Sequence, residues 1–194
     1  MNQPANRRKL ADAEALNALA HPVRLDVLSF LMSSGPATAS ACARAVGDTP
    51  SNCSYHLRVL AQHGLVEPAP SSDARERPWR ATVTGLESDL DSSDPAIAAG
   101  AAAVAGAELQ LDFQRALEHL RRRHLLPVEW RGAETHATYG LRVTPDELRT
   151  LIEQIDALVR PFIAPTRTDA PADAVIASLS TLAYPRPEFD HDGD

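Results

Sequence analysis

Between residues 38 and 80, short polar side chains, one exposed-type aromatic and several arginines recur at spacings that suit contact with a polyanion. Ser51, Asn52, Ser54, Tyr55 and Arg58 fall on the side of a helical stretch that the apolar residues Cys53, Leu57, Leu60 and Ala61 leave free. Such a face can offer donors and acceptors to base edges near its start, and a cation to phosphate further along. On that geometry Ser51, Asn52 and Tyr55 are candidate base contacts, with Ser54 and Arg58 candidate phosphate or sugar contacts. Thr38 and Ser40 upstream, and Arg75 and Arg77 downstream, complete a candidate set for double-stranded DNA. Catalysis is not expected, because no nucleophile-base pair, Gly-rich phosphate loop or paired carboxylate motif stands out, and no cofactor is implied. Ser54 and His56 are two residues apart on a helix and do not face each other.

The elements that must hold these residues are legible nearby. Thr49 is a good N-cap, Pro50 suits the first helical position, and Gly64 can take the positive φ that stops a helix. Residues 38–46 read as a shorter helix ended by Gly47, so the two form a helix-turn-helix. Residues 65–68 and 78–83 read as short strands around the polar tip 71–77, with Trp79 packing beneath the hairpin. Earlier, a helix beginning at Lys9 should end before His21 and Pro22, since a residue preceding proline is pushed from helical φ/ψ. Pro22 then opens a second helix carrying Val23, Leu25, Val27, Leu28 and Leu31, and residues 1–8 are expected to be loose. His21 reads as a helix-junction residue bonded locally. The outline of 9–84 is a winged helix.

Three strings carry a resemblance to a known family: residues 18–28, with His21, Pro22 and Arg24; residues 54–60, with Ser54, His56 and Leu57; and residues 63–66, with Gly64. Together, over roughly residues 10–84, they resemble the ArsR/SmtB family of bacterial winged-helix repressors. The resemblance implies DNA contact at the positions of Ser51, Ser54 and Tyr55. Pro50 departs from it, standing where relatives often carry a base-reading glutamine. Relatives often bind a metal through cysteines ahead of the recognition helix or Asp/His sets on the dimer helix. Here Cys42 has Ser40 in place of a partner, and Asp112, Glu118, His119 and His124 do not reproduce the spacing, so no metal site is expected. Cys53 and His56, at i and i+3, could share a ligand, but Cys53 belongs to the apolar stripe.

The net charge of −7 argues against a nucleic-acid binder until the chain is divided. Residues 1–84 hold nine Arg and Lys against seven Asp and Glu, net +2, whereas 85–194 hold ten against nineteen, net −9. Phosphate binding depends on local charge, so Arg44, Arg58, Arg75, Arg77 and Arg80 can still make a positive face. Two cysteines do not suggest a disulfide framework, no signal peptide is visible, and no apolar run approaches a bilayer span, so a cytoplasmic protein without a membrane partner is expected.

Residues 85–95 read as an acidic linker and 96–126 as a long helix whose Ile97, Val104, Leu109, Leu111, Phe113, Leu117 and Leu120 need cover. A second copy is the natural cover, which implies a homodimer on an inverted-repeat operator. The cations at 121–124 complement that helix's C-terminal dipole. Residues 127–184 read as a small α/β lobe, with strands at 134–143 and 174–184 flanking a helix opened by Thr144, Pro145, Asp146 and Glu147. The lobe either enlarges the dimer or binds a small-molecule effector among Phe113, Trp130, His136, Tyr139 and Tyr184. Residues 185–194 are expected to be a disordered tail. The expected fold is thus mainly α with small β: a winged helix-turn-helix, a long dimerisation helix and a small α/β C-terminal lobe. The function expected is that of a sequence-specific regulator of transcription, a repressor by resemblance. A winged-helix protein-interaction module without an operator, and a metal- or redox-gated sensor using Cys42 and Cys53, are the alternatives.

Overall fold

A computed structural model describes residues 7–71, 73, 76–164 and 166–186. The chain begins with strand β1 (Arg7–Leu10), followed by helices α1 (Ala13–Leu19), α2 (Pro22–Ser34), α3 (Ala39–Val46) and α4 (Pro50–Gln62). Strands β2 (Val66–Pro68), β3 (Trp79–Ala81) and β4 (Gly85–Ser88) come next, then the long helix α5 (Pro95–Arg122), continued by a 3₁₀ turn, Arg123–Leu125. Helices α6 (Val128–Ala133) and α7 (Pro145–Val159) and a second 3₁₀ turn, Arg160–Phe162, complete the regular structure.

Caps set the helix ends where the sequence places them. The Thr38 hydroxyl accepts from the Ala41 N–H at 3.2 Å and that of Thr49 from the Asn52 N–H at 3.3 Å, each satisfying an otherwise orphaned donor. Gly47, at φ 71°, ends α3 in the left-handed region that favours glycine and makes the tight turn into α4 possible. Leu16, Leu19, Leu25, Leu28, Leu31, Leu57, Leu60, Leu65 and Val104 form one core, into which Cys42 and Cys53 are also packed. Trp79 packs against the edge of that core while its backbone exchanges hydrogen bonds with Ala37.

Three expectations for the N-terminal half are corrected. Residues 7 and 8 are not loose: β1 pairs in parallel with β4, Arg7 opposite Gly85 and Leu10 opposite Ser88. The first part of the expected linker 85–95 is therefore a strand, and Lys9 meets Asp89 across the pair at 2.9 Å. Leu10, placed on a helical stripe by its spacing, is instead a buried strand residue, so the first helix starts at Ala13. Pairing also aims Arg8 at the end of α4, where its Nη1 donates to the carbonyls of Gly64 at 3.0 Å and His63 at 3.2 Å. A cation on the last carbonyls complements the negative end of the helix dipole.

The long helix forms as expected and lies against the domain. Gly100 meets Leu16 of α1, and Arg115 ion-pairs with Asp26 and donates to the Ser29 hydroxyl at 3.2 Å, both on α2. Contrary to the expectation that no apolar run approaches a bilayer span, the segment Pro95–Leu125 has a stretch of mean hydropathy 1.2 and is long enough to cross a bilayer. Its close seat on α1 and the Arg115 ion pair show a helix packed on a globular domain. At its end Arg121 and Arg122 pair with Glu118, and His124 Nδ1–H donates to the Arg121 carbonyl at 3.1 Å. Arg123 and His119 both engage Glu134, joining α6 to α5, and these contacts hold the Glu134 carboxyl below its ordinary range, the His119 hydrogen bond most of all.

Beyond Pro127 the β part of the expected lobe is corrected. Residues 134–143 and 174–184 alternate in sequence but pair with no strand among the described residues. Alternation without a neighbour to complete a ladder leaves an extended segment, not a sheet. The regular structure of this part is helical, with α7 opened by a capping box between Thr144 and Glu147. The Ser180 hydroxyl donates to Asp112 at 2.6 Å, laying the second extended segment beside α5. Residues 187–194 of the expected tail lie outside the described residues.

Candidate nucleic-acid interface

Helix α4 presents the face that its apolar stripe leaves over. Cys53, His56, Leu57 and Leu60 are buried, so Ser51, Asn52, Tyr55 and Arg58 stand exposed and Ser54 is half-exposed. Between the starts of α3 and β3 and the middle of α4 lies an open concavity of about 600 Å³, lined by Thr38, Ser40, Arg44, Ser54, Arg58 and Arg77, with Glu76 and Trp79 on its wing side. Five of the residues expected to meet DNA are thus gathered around one hollow. Ser51, Asn52 and Tyr55 stand outside it, on the first turns of the same helix. Arg75 lies outside the described residues.

Charge is distributed unevenly over this face. Arg44, Arg58 and Arg77 form no ion pair among the described residues, so three guanidinium groups converge on the hollow with Glu76 as the only carboxylate lining it. Arg80, expected to join them, is held instead by Glu67 at 2.5 Å, its cross-strand partner on β2. Arg44 was noted only for its charge, yet it lines the hollow as fully as Arg58 does. Its place on α3 could have been foreseen from the helix-turn-helix, in which the first helix crosses the DNA backbone.

Asn52 is not free in the way its type suggests. Its Nδ2 donates to Asp48 Oδ2 at 2.6 Å, and Asp48 Oδ1 accepts from the Thr49 N–H at 2.6 Å. Sequence reasoning passed over Asp48, although an acid four residues before an amide at a helix start is within bonding reach.

Beneath the face lies a histidine pair. His56 is buried with its ring 4.8 Å from that of His21, and its Nδ1 has no hydrogen-bond partner among the described residues. Burial, with the charges of His21 and Arg24, lowers its pKa from the ordinary 6.5. The rings of Tyr55 and His56 meet edge-on at 5.4 Å, so the buried His56 ring lies between two exposed ones, Tyr55 and His21. The thiols are also enclosed: burial pushes Cys42 up to about 11 and raises Cys53 as well, the reverse of what a reactive thiol needs. Among the described residues, no cluster of three or more His, Cys, Asp or Glu side chains could hold a metal ion.

The residues suggested for an effector lie on the second half of the chain, away from the wing hollow. Phe113 on α5, Trp130 on α6, Tyr139 and His136 on the first extended segment and Tyr184 on the second are all exposed, and none lines the hollow at the wing.

Comparison with known proteins agrees with the fold at the site. Residues 19–69 match a family described as "Helix-turn-helix domain", covering α2, α3, α4 and β2. That span, with β3 completing the wing after it, is a winged helix-turn-helix, a DNA-binding fold of transcriptional regulators. No curated protein sequence matches the chain. Among solved structures it is similar to the MarR family protein Rv2887 of Mycobacterium tuberculosis, determined in complex with salicylic acid. The two are 20% identical, the match covers 75% of this chain and 84% of that one, and the TM-score is 0.31, too low for the likeness to bear on function.

Proposed function

We propose that the chain is a cytoplasmic, sequence-specific transcriptional regulator, a repressor of the ArsR/SmtB kind, that binds an inverted-repeat operator as a homodimer. The observation that carries this reading is the hollow between α3, α4 and the wing, where Arg44, Arg58 and Arg77, without an ion pair among the described residues, converge beside the hydroxyls of Thr38, Ser40 and Ser54. Unpaired cations flanking short hydroxyl donors suit phosphates, while the exposed start of α4 suits the major groove.

Support for two copies comes from the second half of the chain. Leu109, Phe113, Leu117 and Leu120 on α5, and Ile152 and Leu158 on α7, are exposed in the isolated chain, and α7 buries none of its residues. On α5 these residues recur at the spacing of one helix face, and an exposed apolar face of this kind suits an interface. A symmetric dimer would present two α4 helices about one DNA turn apart. The five residues suggested for an effector are exposed in the isolated chain, so an effector site there would need cover from a second copy.

A salt-titrated binding assay on the duplex upstream of the protein's own coding sequence tests the proposal. Affinity well above that for random duplex, falling steeply with salt, is expected. Equal affinity for the two duplexes would leave no place for sequence recognition.

A further inference from the structure

We propose that Asp48 is a positioning residue for base recognition: by holding one amide hydrogen of Asn52 it fixes which way that amide faces, so that Asn52 accepts adenine and rejects guanine. The inference rests on the reading of α4 as the helix that enters the groove.

The local backbone delivers Asp48 to this task. Gly47 turns the chain at φ 71°, the Asp48 N–H donates back to the Ala43 carbonyl at 3.0 Å, and the carboxylate comes to lie over the first turn of α4. One oxygen accepts from the Thr49 N–H and the other from Asn52 Nδ2, both at 2.6 Å. The backbone N–H of Asn52 is meanwhile taken by Thr49 Oγ1, so the root of the side chain is fixed as well.

An asparagine amide can be turned two ways, and its two ends have opposite hydrogen-bonding character. With nitrogen toward Asp48 a bond forms; with oxygen toward Asp48, two acceptors oppose each other. Asp48 therefore selects one orientation and leaves Oδ1 and one N–H facing solvent from an exposed residue. An acceptor beside a donor complements the N6 amino group and N7 of adenine, whereas guanine shows two acceptors, O6 and N7, on the same edge. An amide released from Asp48 could turn both of its hydrogens outward and serve guanine too.

The charge of Asp48 points the same way. A half-exposed carboxylate at the edge of a phosphate-binding face weakens attraction to every duplex alike. Its bonds to Thr49 and Asn52 give that carboxylate a role that general affinity does not.

The test uses the full chain as wild type, Asp48→Ala, Asp48→Asn and Asn52→Ala. Duplexes are selected by the wild type from a randomised pool, and binding to the selected site, its adenine-to-guanine variants and random duplex is then read by fluorescence anisotropy. Wild type is expected to prefer adenine at one position in each half-site by on the order of tenfold, a preference that Asn52→Ala removes. Asp48→Ala should bring adenine and guanine near parity at that position only, and should bind random duplex more tightly. Asp48→Asn keeps an acceptor without the charge, so it should retain the adenine preference and still gain random affinity. The proposal is overturned if Asp48→Ala keeps the adenine preference, or if no adenine preference depends on Asn52. It is equally overturned if Asp48→Ala weakens all positions together with a lowered melting temperature, which is the mark of a capping role alone. Failure of the wild type to select any sequence would remove the regulator reading and this inference together; selection that Asp48→Ala leaves unchanged removes only the inference.

Discussion

Gly100 of α5 faces Leu16 of α1 so closely that a Cβ built on the glycine would lie 2.9 Å from the Leu16 Cβ. Leu16 is fully buried, so it has no room to retreat. Replacing Gly100 by Ala should therefore destabilise the chain by about 1–3 kcal/mol through overpacking, despite alanine's better helix propensity. Gly106, two turns on, has nothing within 4 Å. There the same change should stabilise by about 0.5–1 kcal/mol. Urea melts of the two variants check both signs. Equal effects would mean that α5 does not seat on α1 as described.

Arg58 and Arg77 stand on the wall of the hollow without an ion pair among the described residues. Changing either to Ala should weaken specific and random duplexes by similar factors and lower the salt dependence, log affinity against log salt, by about 1. Arg80, held by Glu67, should show a smaller effect on both. Filter-binding titrations across salt concentrations make this comparison. A winged helix serving protein contacts alone would show no such change in slope.

Burial lowers the pKa of His56, the charges of His21 and Arg24 lower it further, and Asp48 opposes them. A histidine whose folded pKa lies below its unfolded value of 6.5 binds protons more readily in the unfolded chain. Its contribution is thus intact above that value and declines as pH falls below it. Glu134 and Glu147, whose pKa values are lowered from 4.5, act only in a more acidic window. The melting temperature should fall between neutral pH and roughly pH 5, and His56→Leu should flatten that slope. A slope unaltered by the substitution would assign it to another group.

Cys42 and Cys53 are fully buried, and the Cys42 thiol lies near 11. Alkylation by iodoacetamide at neutral pH should be slow in the native chain and rapid in denaturant. Fast native labelling, with a loss of DNA binding, would favour the redox-gated alternative.

Local signals gave away the DNA-facing half because its elements are defined by near neighbours. Thr49, Pro50 and Gly64 bracket α4 within a few residues of where it runs, and Thr38 and Gly47 do the same for α3. The parallel pairing of Arg7–Leu10 with Gly85–Ser88 was not legible, since its partner lies far along the chain and Leu10 fits a helical stripe equally well. Strand-like alternation at 134–143 and 174–184 misled for the complementary reason: period two shows that a segment could join a sheet, not that a neighbour is present. At the interface, residue types announced the arginines, but not that Glu67 would remove Arg80 from the set or that Asp48 would take hold of Asn52. Both are side-chain pairings, and composition alone does not decide which acid meets which donor.

Two copies presenting α4 to successive turns of one duplex is the central claim. Hydroxyl-radical footprinting of the full chain on a selected duplex tests it most directly. The expected pattern is two protected patches on one face of the DNA, about 10 base pairs apart and related by two-fold symmetry. One patch, or protection spread evenly along the duplex, would contradict it.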